Sequence, residues 1–128
     1  MATSTNAAIS EVPLQPALAI CDAHHHLRER ADDRYLLEEF NRDVGTGHKI
    51  VSTIAGACGV MHRKDGPEEL KPVGETEFLD GMAAQAALES NPATRIATAI
   101  VAYADLTLGA NGSKAEHRDR PNAKWTTP

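Results

Sequence analysis

The sequence is poor in cysteine, carries no excess of basic charge and contains no long apolar run. Its two cysteines, Cys21 and Cys58, belong to no C-x-x-C pair and form no framework of regular spacings. That excludes a disulfide scaffold, and both read as reduced, partly buried thiols. No stretch reaches the ~18 apolar residues that a membrane span needs. Residues 1–10 lack the basic cluster and apolar core of a secretory signal. The expected location is therefore cytoplasmic, with no membrane partner. A net charge of −5 gives no broad attraction for nucleic acid. What is present suffices for one folded domain: 128 residues, 41% of them apolar, can bury a core, which argues against wholesale disorder.

Residues 1–16, rich in Ala, Ser and Thr and holding Pro13 and Pro16, read as a flexible lead-in. Residues 17–23 form a short apolar run that predicts a buried strand. Asp32 and Asp33 offer helix caps ahead of Leu36, Leu37, Phe40 and Val44 at helical spacing, with Gly45 as the stop. Residues 49–55 are rich in β-branched side chains and predict a second strand. Residues 59–74 form a polar loop, long enough to suggest a functional role. Residues 75–89 predict a second helix, with Phe78, Leu79, Met82, Ala83 and Ala86 on one face and Asn91-Pro92 ending it. Residues 95–102 predict a third strand. From Ala110 no apolar period remains, so 110–128 reads as an unstructured polar tail.

Near-continuous apolar strands alternating with helices predict a parallel sheet with both helices packed on one face. Such crossovers gather the C-terminal strand ends on one side, where α/β folds build their sites. The run Asp22-Ala23-His24-His25-His26, the long loop and Tyr103-Ala104-Asp105 all fall at those ends.

In a regular strand, Asp22, His24 and His26 share one face, while Cys21, Ala23 and His25 take the other. Two imidazoles on one face can hold a divalent metal, and a carboxylate behind them can orient a ring or hold the turn through backbone hydrogen bonds. Spacing alone leaves an adventitious surface histidine cluster equally open.

The stretch I-C-D-A-H-H-H-L (20–27) resembles the opening of the amidohydrolase-related family of the amidohydrolase superfamily. G-H-K-I-V-S-T-I (47–54), M-H-R-K-D-G-P-E-E-L-K-P-V-G-E-T-E-F (61–78) and A-D-L-T-L-G (104–109) are similar to segments of that family in the same order. The similarity covers residues 19–109 and is sharpest in 61–78. The D-x-H-x-H alone also resembles TatD-type deoxyribonucleases and PHP-type phosphoesterases. The resemblance implies a (β/α)8 barrel and metal-dependent hydrolysis of a small-molecule amide, ester or lactone. It makes His24 and His26 first-strand ligands of a divalent metal, zinc above manganese or iron, with Asp22 supporting.

The family also uses histidines on middle strands and an Asp on the last strand, and a whole barrel takes ~250 residues. The expectation is therefore an N-terminal fragment: an incomplete barrel of three parallel strands and two helices, with no activity of its own. No catalytic base is assigned. His117, the one later histidine, falls in the polar tail. Arg63 could grip a substrate carboxylate through its guanidinium fork, and Tyr103 could donate to substrate; a solvated arginine and a packing tyrosine are the plainer readings. Exposed sheet edges predict self-association or poor solubility. The competing reading is a non-catalytic small α/β binding module.

Overall fold

A computed structural model of the chain describes residues 12–89 and 93–109. In chain order the elements are strand β1 (Ala19–His25), the short strands β2 (Arg28–Arg30) and β3 (Asp33–Tyr35), helix α1 (Leu37–Val44), strand β4 (Lys49–Gly56), helix α2 (Val73–Leu88) and strand β5 (Arg95–Val101). Single 3-10 turns stand at Glu68–Leu70 and Leu106–Leu108. Strands β1, β4 and β5 form one parallel sheet in the order β1-β4-β5. The chain is thus α/β, with a three-stranded parallel sheet and two helices, as the alternation of apolar strands and helices predicts. Parallel neighbours need a long crossover, and α1 and α2 lie in the two that this sheet uses.

One core cluster joins the sheet to both helices. Leu37 and Phe40 from α1, Leu79 and Ala86 from α2, and Ala55, Ile96 and Ala97 from the strands pack with Leu27. Leu27, Ala55 and Leu79 are fully buried. Ala55 faces this cluster, so its neighbours Ile54 and Gly56 face away from it. In register they pair with Ala99 and Val101, and Val101 is 63% exposed. The helices cover one side of the sheet only, as the sequence predicts.

Two local expectations are corrected. Asp32 and Asp33 do not cap α1, which begins at Leu37 and is shorter than the predicted three turns. Asp33 instead lies in β3, antiparallel to β2, with Ala31 and Asp32 at the turn. The reason is charge pairing across the hairpin. Arg28 bonds Asp33 at 2.5 Å, its guanidinium sits 5.5 Å from the centre of the Tyr35 ring, and Arg34, in register with Glu29, turns its own guanidinium to Glu38 and Glu39 of α1. Cross-strand pairs of this kind stabilise a hairpin that has no apolar face of its own. The cap of α1 is supplied from within, where the Glu39 carboxylate accepts the Leu36 N–H at 2.9 Å. The second correction concerns the cysteines: Cys21 is exposed, and only Cys58 is half-buried.

Of the lead-in, residues 12–16 are described. The tail 110–128, including His117, and the Asn91-Pro92 stop lie outside the described residues. Among the described residues no helix is long and apolar enough to cross a membrane.

Candidate metal centre

The end of β1 brings two imidazoles together. His24 Nε2 and His26 Nε2 are 3.1 Å apart, and the rings meet edge to face with centroids 4.7 Å apart. His26 Nδ1 lies 2.9 Å from the Gly56 carbonyl oxygen. A carbonyl only accepts, so His26 carries its proton on Nδ1 and its lone pair on Nε2. The His24 Nε2–H then donates to that lone pair, and His24 would carry its proton on Nδ1 instead whenever its Nε2 served a metal. Gly56 lies directly beneath the pair. A Cβ there would sit 3.2 Å from His26 Cε1 and 3.8 Å from His24 Cε1. The missing side chain lets the rings lie down on the end of β4.

Asp22 does not share this face, contrary to the regular-strand expectation. It pairs with Thr53, and His25 pairs with Ala55, so β1 holds one residue more than β4 across this interval. The bulge breaks the period-2 alternation. Asp22 and His25 therefore both turn toward the helix side, where they line one hollow with Tyr35 and Phe40. Asp22 Oδ1 accepts the His24 N–H at 3.1 Å. Of the two supporting roles open to it, it holds the turn.

His25 faces away from the pair, as predicted. It is buried, stacked on Phe40 at 4.3 Å, and its Nε2 lies 2.9 Å from Thr53 Oγ1. Burial, the largest cause, lowers its pKa below the ordinary histidine value. The Thr53 hydroxyl also accepts the Ala97 N–H at 2.9 Å. Ala97 has φ +49° and lies where β5 slips register against β4, so this bond supports the irregular stretch of β5.

The loop after β4 is fastened by residues that sequence reasoning did not single out. Glu75, in the first turn of α2, is 1% exposed. Its two carboxylate oxygens accept the Cys58 and Gly59 N–H groups at 2.7 and 3.0 Å. Gly74 beside it allows the loop backbone to pass; a Cβ there would lie 2.5 Å from both Arg63 N and Met61 O. The V-G-E segment owes its composition to this clamp. An acid directly after a glycine at a helix start was the signal available in the sequence. The burial of Cys58, with Glu75 second, pushes the thiol pKa up, which disfavours a reactive thiolate.

The other candidates stand apart from the pair. Arg63 directs its fork at Glu77 of α2, with Nε 3.1 Å and a terminal nitrogen 2.5 Å from the carboxylate oxygens. It would have to leave Glu77 to take a substrate carboxylate. Tyr103, two residues past β5, is 55% exposed, and no hydrogen bond or ring contact among the described residues joins it to the imidazoles. Asp105 accepts from Thr107 N and Thr107 Oγ1 at 2.9 and 2.6 Å, which lowers its pKa and commits it to the following 3-10 turn.

Two nitrogens on one tetrahedral zinc, each at ~2.0–2.1 Å, stand about 3.3 Å apart. The 3.1 Å separation of the two Nε2 atoms fits that spacing. The bond from His26 Nδ1 to Gly56 is the outer contact that ligating histidines make. Among the described residues no group of three or more His, Cys, Asp or Glu side chains converges, so the pair stands without a third protein donor of these types beside it. Comparison with family models, curated proteins and solved structures returned no match.

Proposed function

We propose that His24 and His26 are the first-strand ligand pair of an amidohydrolase-type metal centre, and that the three-stranded unit is the opening portion of a (β/α)8 barrel. The reaction class of the completed site is hydrolysis of a small-molecule amide, ester or lactone. The observation that carries this reading is the convergence of the two Nε2 atoms at a parallel sheet's C-terminal end, with the His26 tautomer fixed by Gly56. A bound divalent ion, zinc before manganese or iron, supplies Lewis acidity and lowers the pKa of a coordinated water toward ~7.

The protein's own residues do the positioning. Gly56 O holds the His26 proton on Nδ1, and Asp22 holds the His24 backbone through its N–H. Catalytic zinc sites use three protein ligands, and a general base must lie within hydrogen-bond reach of the water. The pair alone therefore binds metal weakly and turns over no substrate. Calorimetric titration with zinc, of the chain and of a His24→Ala/His26→Ala double variant, tests this beside a screen of ester, lactone and amide hydrolysis. The chain should bind zinc and the double variant should not. Equal affinity in both would remove the proposed ligands and leave a small α/β binding module. Metal-dependent turnover lost in the double variant would show a working site completed by groups beyond the pair.

A further inference from the structure

We infer that Glu75 is a positioning residue for the imidazole pair, acting through the loop that follows β4. The inference rests on the reading of His24 and His26 as metal ligands. Glu75 is 1% exposed. A carboxylate is buried at heavy cost unless it is hydrogen-bonded, and both of its oxygens are bonded, to Cys58 N and Gly59 N. Charge-assisted bonds of this type are roughly twice as strong as neutral ones. Its place in the first turn of α2 adds the favourable field of the helix N-terminus.

The grip leads back to the site. The Cys58 carbonyl accepts from the Arg30 guanidinium at 3.0 Å, so this one peptide is held by α2 on its N–H side and by the β2–β3 hairpin on its carbonyl side. One residue earlier, Ala57 N donates to Val101 O at 2.9 Å. One earlier again, the Gly56 carbonyl accepts the His26 Nδ1 proton. A contiguous stretch of four residues, 56–59, thus joins the Glu75 carboxylate to the atom that sets the His26 tautomer. Glu75 spends both oxygens on the loop and acts through it, not as a ligand.

The test is zinc affinity by competition with a chromophoric chelator, together with nitrogen-15 NMR of the His26 ring. Glu75→Gln keeps the shape but replaces one acceptor with a donor facing a backbone N–H. It should weaken zinc binding ~10-fold, as outer-contact changes at metal sites do, and spread the His26 proton over both nitrogens. Leu79→Ala, in the core of the same helix and away from the loop, should lower the denaturation midpoint and leave zinc affinity unchanged. Wild-type affinity and tautomer in Glu75→Gln would overturn the inference, as would an equal loss in Leu79→Ala, which would mark a purely structural effect.

If Glu75→Gln does not fold, wild-type chain decides. Coupling is reciprocal, so saturating zinc must slow hydrogen exchange at the Cys58 and Gly59 amides; unchanged exchange overturns the inference. If the chain binds zinc no better than the His24→Ala/His26→Ala variant, the metal reading itself falls, and this inference with it.

Discussion

Replacing Gly56 with Ala should leave the stability of the fold nearly unchanged and weaken its zinc affinity. The three atoms nearest the added Cβ all belong to the imidazoles: His26 Cε1 at 3.2 Å, His26 Nδ1 at 3.4 Å and His24 Cε1 at 3.8 Å. Carbon atoms pack best at ~3.5–4.0 Å, so the His26 ring must lift by roughly 0.3–0.5 Å. A lift of that size stretches its 2.9 Å bond to Gly56 O past the ~3.2 Å limit of a good N–H···O bond. Losing such a bond costs about 1 kcal/mol, or about fivefold in affinity, and outer-contact changes at metal sites reach ~10–100-fold. The expected loss is therefore about 5- to 50-fold. Alanine in a strand is favoured over glycine by up to ~1 kcal/mol, which offsets the lost bond, so Tm in the presence of chelator should stay within roughly 3 °C of wild type. Calorimetric zinc titration and thermal unfolding of the same two proteins give both quantities. Wild-type zinc affinity in Gly56→Ala would refute the reasoning. A joint fall of Tm and affinity would refute it as well, by showing that the substitution damages the fold and not the ligand geometry.

Three further outcomes are expected. Leu79→Ala removes a fully buried side chain and should cost about 2–5 kcal/mol in urea unfolding; a loss under ~1 kcal/mol would mean that the helix side of the sheet is not packed as described. Thr53→Val deprives the Ala97 N–H and His25 Nε2 of their shared partner and should cost about 1–3 kcal/mol, whereas a neutral effect in the same unfolding assay would show that the Thr53 hydroxyl holds neither group. Burial, with the bond to Asp43 second, pushes the Tyr35 pKa up to about 12. The unfolded chain releases that proton near ~10, so between ~10 and 12 the folded state holds more protons and stability must fall as pH rises. Absorbance titration at alkaline pH should show Tyr35 ionising late, and Asp43→Asn should bring it earlier; a Tyr35 that ionises near ~10 in the native protein would contradict its environment.

The three strands and their parallel order were legible from the sequence, because buried apolar runs and helical periods are local signals. Ile50, Val51, Thr53 and Ile54 mark β4 by side-chain type alone. Leu36, Leu37, Phe40 and Val44 mark the helical stretch that precedes it. The pairing of His24 with His26 was likewise legible, since alternate residues meet on one face wherever a strand is regular. Tertiary structure decided where that regularity stops. The extra residue between Asp22 and His25 exists only relative to β4, and it moved Asp22 off the imidazole face. Across the hairpin Arg28 found Asp33, and Arg34 turned to Glu39 at the start of α1, where a helix-capping reading of Asp32 and Asp33 weighs each acid by itself. The partners of His25, His26 and Cys58 lie 28, 30 and 17 positions away in the chain. No window of local sequence holds both members of such a pair. The fate of a charged side chain depends on that second member: Glu75 is buried because two backbone N–H groups meet it, and Arg63 is turned to Glu77 because the loop folds back over α2. Local chemistry fixed which residues could bind a metal; only the packed sheet fixed that Gly56 lies beneath them.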